Sequence, residues 1–131
     1  LRYHRVVMVF VVIISIWITY KARSKEWKYN NGQEKVIGST IHNMNEGQWT
    51  WYYESGAKRM QGNFVAGKRD GAWYTWDENG QLTSLNTYSE DKLNGPFVRW
   101  YSNGNKQEEG SYRDDVQVGG VVRYNEDGKR K

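Results

Sequence analysis

Hydrophobic positions fall into two regimes along the chain. From Val6 to Tyr20 the sequence reads VVMVFVVIISIWITY, fifteen residues without a charge. Beyond it, short aromatic and β-branched runs alternate with polar residues and are cut by glycine at regular intervals, a pattern that predicts strands and turns rather than helices. The first regime predicts one hydrophobic helix, the second a mainly β domain built as an antiparallel β-hairpin meander.

The glycines set the period. Gly32, Gly56, Gly80, Gly104 and Gly128 are each 24 residues apart, and Gly47, Gly71, Gly95 and Gly119 form a second series with the same spacing. Self-similarity at a fixed period of this size is the mark of a repeat architecture. The full copies are 47–70, 71–94 and 95–118, preceded by a degenerate copy at 23–46 and followed by a partial one at 119–131. In each copy a first strand, from about Gln48 to Tyr53 in the first, ends at ESG, ENG, SNG or EDG, where glycine supplies a positive φ for a hairpin turn. The second strand ends near Phe64, Tyr88 and Tyr112, and a polar stretch such as AGKRD leads on to the next copy.

Aligning the copies gives columns. Trp49, Trp73, Phe97 and Val121 form one, with Tyr52, Trp76, Trp100 and Tyr124 in a second and Phe64, Tyr88 and Tyr112 in a third. Aromatic rings each bury roughly 150–250 Å², so these columns, with Trp51 beside them, are candidates both for the core and for an interaction surface. The first two columns lie three positions apart in a strand and so face opposite sides of the sheet. The sheet must therefore curl, or one face must be covered.

The motif GQWTWYYESG at 47–56, with GAWYTWDENG and GPFVRWYSNG each departing from it at one aromatic position, resembles the MORN-repeat superfamily, in the G-x-W-x-x-Y-Y-x-x-G variant found in bacterial proteins often labelled antitoxin-like. The resemblance covers 23–131. It implies an elongated β-sheet platform for protein contacts, with membrane or phospholipid association in some relatives, and it brings no catalytic residues with it.

The N-terminal run is shorter than the roughly 20 residues that span a bilayer core. Tyr3, Trp17 and Tyr20 supply interfacial aromatics, however, and the basic flanks can snorkel. An anchor over 1–22, with Val6, Val7, Phe10, Ile13, Ile14, Trp17 and Tyr20 in contact with the lipid bilayer, is the expected arrangement. A cleaved secretory signal is the rival reading, but Thr19, Tyr20, Lys21 and Arg23 stand where a cleavage site needs small residues. Two Lys or Arg precede the run and four follow it closely, a small margin that leans the repeat domain of this single-pass protein toward the cytoplasm.

Charge changes the picture only once it is divided along the chain. The net +4 resolves into +5 over residues 1–28, from six basic side chains and one acidic, and −1 over 29–131, from 13 basic and 14 acidic. The basic excess belongs to the flanks of the hydrophobic run, which disfavours a nucleic-acid surface on the repeats.

Candidate chemistry is sparse. There is no cysteine, and the histidines are His4 and His42, so no metal or cofactor is expected. Ser55 and Ser102 sit in predicted turns. The pairs Asp77/Glu78, Glu90/Asp91, Glu108/Glu109 and Asp114/Asp115 read as solvated surface rather than as paired acid and base. The glycines do not form a phosphate loop. The expectation is a non-enzymatic, membrane-anchored scaffold or accessory subunit docking through its sheet to a larger integral membrane protein complex, of respiratory, photosynthetic, transport or secretion type. The alternative is a peripheral binding module for a protein partner, antitoxin-like, or for lipid headgroups.

Overall fold

The computed structural model describes residues 10–15 and 27–131. Of the expected anchor, Val6, Val7, Trp17 and Tyr20 lie outside the described residues. Phe10, Ile13 and Ile14 fall in a helical segment, 10–15, and are 61%, 55% and 53% exposed. Among the described residues no helix is long and apolar enough to cross a membrane. The described part of the protein is otherwise β-structure.

Nine strands form one antiparallel sheet among the described residues: β1 (Val36–Ile41), β2 (Met44–Tyr52), β3 (Lys58–Val65), β4 (Lys68–Trp76), β5 (Leu82–Ser89), β6 (Lys92–Leu93), β7 (Gly95–Trp100), β8 (Lys106–Arg113) and β9 (Val116–Arg123). Neighbours in sequence are neighbours in the sheet, as a meander requires, with β6 and β7 both pairing with β5 on either side of Asn94.

Two kinds of turn alternate. The first glycine series closes the longer one: Gly56 donates its N–H to the Tyr53 carbonyl at 2.9 Å and has φ 89°, while Tyr53 donates to the Ala57 carbonyl at 2.8 Å. This is the three-residue hairpin loop with a left-handed glycine. The second turn replaces the expected polar connection. His42-Asn43, Ala66-Gly67, Glu90-Asp91 and Asp114-Asp115 all have φ between 47° and 79°, the two-residue type I′ pattern, again 24 residues apart. AGKRD is therefore a tight turn running straight into β4, and the first strand of the copy begins at Met44, not Gln48. Strands lengthened in this way leave little of the chain without a backbone partner.

The second glycine series marks bulges. Gln61 faces Tyr74, yet Asn63 faces Asp70, so β4 holds two residues more than β3 between these pairs. The same two-residue excess occurs in β2 against β1 and in β9 against β8. It recurs where Leu85 faces Val98 but Tyr88 faces Leu93. Gly47, Gly71, Gly95 and Gly119 stand in these insertions with φ of 69° to 128°. Glycine adopts such angles freely, and bulges of this kind bend the strand that carries them.

At the far end of the sheet the partial copy begins a further hairpin, through the turn at Gly128. Tyr124 bridges to Arg130, and Lys131 donates to the Arg123 carbonyl at 2.9 Å.

Candidate functional site

Cross-strand pairing sorts the side chains onto two faces. On one face Trp49 and Trp51 of β2 stand beside Phe64 of β3, Trp73 of β4 and Tyr88 of β5. Ring centroids are 5.9 Å apart for Trp49–Phe64, 5.7 Å for Trp51–Trp73, 5.0 Å for Phe64–Trp73 and 6.1 Å for Trp73–Tyr88. Most are edge-to-face, the arrangement that aromatic quadrupoles favour. Trp27 extends the row at 5.7 Å from Trp49, and Phe97 packs on Tyr112 at 5.1 Å. Trp49, Trp73 and Phe97 are 4%, 6% and 3% exposed, the buried hydrophobic core among the described residues.

A third glycine series makes room for these rings. A Cβ on Gly38 or Gly62 would lie 2.1 Å from the indole of Trp49 or Trp73, and one on Gly110 would lie 2.7 Å from the Phe97 ring. The rings therefore lie flat on the backbone of the neighbouring strand. Asn86 occupies the third place of the series, between Gly62 and Gly110. Trp49 donates its indole N–H to the Ser39 carbonyl at 3.1 Å, whereas the Trp73 indole N–H is buried without a partner.

The opposite face carries the second column. Tyr52, Trp76, Trp100 and Tyr124 are each half-buried there. Trp76 stacks on Tyr74 at 5.9 Å and 29°, with the Lys58 ammonium 5.9 Å from its ring. At the C-terminal end Tyr124 donates its hydroxyl to Glu109 at 2.6 Å, and Lys106 donates to the same carboxylate at 2.7 Å. These two hydrogen bonds, Lys106 foremost, hold the Glu109 carboxyl below its ordinary range, and Glu109 in turn raises both Lys106 and Tyr124.

Between repeats the array is stitched by bonds that recur at fixed offsets. Tyr29, Tyr53 and Tyr101 donate their hydroxyls to the carbonyls of Tyr52, Trp76 and Tyr124, each 23 residues on. Asp77, in the corresponding place of the second copy, instead accepts from the N–H groups of Asn79 and Gln81 within its own turn. The type I′ turns are tied too: Gly67, Asp91 and Asp115 donate to the carbonyls of Asn45, Arg69 and Leu93.

On the aromatic face an open groove of about 440 Å³ crosses β2 to β5. Trp51, Phe64, Trp73 and Tyr88 form its apolar lining, with Met60, Thr75 and Asn86 among the other residues that border it. At its rim the Arg69 guanidinium lies 4.1 Å from the Tyr88 ring and donates to the Asp91 carboxylate, which lowers the Asp91 pKa. Of the residues expected to matter, the groove gathers Trp51 and Trp73. It leaves Trp49 and Phe97 beneath the neighbouring rings and puts Tyr52, Trp76, Trp100 and Tyr124 on the other face. Arg69, Asp91, Thr75 and Asn86 were not anticipated, although all four sit in repeat positions that the spacing exposes. Among the described residues no group of three or more His, Cys, Asp or Glu is placed to hold a metal ion.

A single-layer sheet of stitched hairpins, with aromatic rings presented at a fixed period, defines a β-hairpin repeat protein. The MORN repeat variant profile matches residues 45–66, 69–90 and 93–114, half of the chain in three consecutive copies, and the protein belongs to that family. None of the curated proteins matches the chain.

Proposed function

We propose that this protein is a non-enzymatic scaffold, tethered to the membrane by its hydrophobic N-terminal run, that docks to a larger membrane protein complex through the aromatic face of its repeats. The observation that carries this reading is the groove of Trp51, Phe64, Trp73 and Tyr88, open on one face of the sheet. Clusters like this one, with Trp51, Phe64 and Tyr88 partly exposed around the buried Trp73, are where protein interfaces concentrate their binding energy. The fifteen-residue uncharged run and its basic flanks support the tether.

Extraction of the full chain in a mild detergent, followed by native size separation and mass spectrometry, tests the proposal. Co-migration with an integral membrane complex at constant stoichiometry is the expected result. Recovery as a lone chain on vesicles of anionic lipid would replace it with the peripheral lipid-binding module. Recovery bound to a soluble protein would replace it with the antitoxin-like one.

A further inference from the structure

The aromatic face carries a row whose rings stop at the third of its five places. Trp27, Trp51, Thr75, Arg99 and Arg123 occupy the same place in successive copies. The first two members of this row each cover a buried ring: Trp27 lies 5.7 Å from Trp49, and Trp51 lies 5.7 Å from Trp73. The third is Thr75, which has no ring to lay over the next copy, and the groove of about 440 Å³ opens beside it. Further along, the row carries Arg99 and Arg123, which pair with Glu108 at 3.0 and 3.6 Å. The gap beside Thr75 is bounded by Trp51 and Trp73 on one side and Tyr88 on the other.

Asn86 sits in this gap, where the third glycine series has Gly38, Gly62 and Gly110. Its carboxamide makes no hydrogen bond among the described residues. Thr75, by contrast, spends its hydroxyl on Thr83 and Ser84. The groove therefore offers ring surfaces on two sides and one free polar group able both to donate and to accept.

We propose that the gap beside Thr75 receives a tryptophan or tyrosine side chain of a protein partner, which extends the aromatic row by one place and takes a hydrogen bond from, or gives one to, Asn86. The occupant follows from continuity: the same place in the two preceding copies is filled by an indole, and the rings that would flank a third are already in position. An aromatic side chain packs against Trp73 and Tyr88, as Trp51 packs against Trp49 and Phe64 one repeat earlier, and leaves its N–H or O–H for the carboxamide. An aliphatic chain forgoes both the ring contacts and the hydrogen bond. This rests on the scaffold reading above and names the anchor residue its partner must present.

The test uses the full chain in detergent, labelled for amide NMR and titrated with N-acetyltryptophanamide, with N-acetylleucinamide as the comparison. The expected result is saturable shifts at Thr75, Asn86 and Tyr88 with the tryptophan amide, at least tenfold weaker with the leucine amide. Thr75→Trp fills the gap from within, so it should abolish those shifts and raise the thermal midpoint. Asn86→Ala keeps the rings and removes the carboxamide, so it should weaken binding severalfold, and it serves if Thr75→Trp does not fold. Equal shifts with both amides, or shifts that persist in folded Thr75→Trp, would overturn the proposal. The two readings fail separately. A stable membrane complex unaffected by Thr75→Trp removes this groove as the dock and keeps the scaffold, whereas amide binding without any co-purifying complex does the reverse.

Discussion

The Tyr53 hydroxyl donates to the Trp76 carbonyl at 2.8 Å, joining two copies of the repeat through residues 23 apart. The bond spans the end of one hairpin and the strand of the next, so it couples units that share little else than a strand interface. Tyr53→Phe and Tyr101→Phe are expected to lower stability by about 1 kcal/mol each, the net worth of a part-buried hydrogen bond. Tyr52→Phe, one residue away with no such bond, should change it by less than about 0.5 kcal/mol. Urea denaturation of the three variants makes the comparison, and equal losses in all three would show that the ring, not the hydroxyl, does the joining.

Gly62 is a packing requirement rather than a turn. Its added Cβ would fall 2.1 Å from the Trp73 indole, inside any contact distance a ring can yield to. Gly62→Ala is expected to cost about 1–3 kcal/mol, the range for overpacking a well-filled site. Gly120 has nothing within 4 Å of the same added atom, and Gly120→Ala should be tolerated within about 0.5 kcal/mol. Thermal denaturation decides between these outcomes, and a neutral Gly62→Ala would mean that Trp73 can leave its place without loss.

Trp49 and Trp73 hold the same position in successive copies and differ in one bond. Trp49 donates to the Ser39 carbonyl, while the indole N–H of Trp73 is buried and unpaired. Replacing each by Phe removes similar volume, and Phe97 already fills this position in the third copy. Trp49→Phe breaks a hydrogen bond, whereas Trp73→Phe relieves a desolvated donor, so Trp73→Phe should be the milder by about 1 kcal/mol. Paired urea titrations measure the difference directly. A larger loss at Trp73 would indicate that its N–H finds water within the sheet.

The repeat was legible because turn glycines cannot be replaced cheaply: the positive φ at Gly56 or Gly104 recurs every 24 residues and prints itself on the chain. The type I′ turns were missed because Asn and Asp, which tolerate the left-handed region, stand in most of them where glycine was sought, as at Asn43, Asp91 and Asp115. Gly47 and its partners were visible as a series, but a bulge cannot be told from a turn by composition alone. Gly38, Gly62 and Gly110 went unnoticed since Asn86 interrupts them. The groove was hidden for a related reason. It is made by what Thr75 lacks, and an absent ring shows only once the Trp27 and Trp51 positions are aligned with it. The two-faced arrangement of the first two columns, by contrast, follows from alternation, and the strand pairing agrees with it.

Glu109 supplies a stability that depends on pH with a definite sign. Hydrogen bonds from Lys106 and Tyr124 favour its carboxylate, so its folded pKa lies below the ordinary 4.5. A depressed carboxyl contributes fully above the unfolded value and loses that contribution as the pH falls through the folded one. Lys106 and Tyr124 are raised above 10.5 and 10.0, chiefly by the hydrogen bond to Glu109, so their share is present below those values and lost as the pH rises through the folded ones. The three side chains therefore support the β7–β8–β9 end of the sheet most between about pH 5 and pH 10, a modest effect for groups so open to solvent. Glu109→Gln should lower the urea midpoint at pH 7, and its difference from the parent should shrink as the pH falls below the ordinary carboxyl range. A difference that does not shrink with falling pH would assign the effect to packing of the side chain and not to its charge.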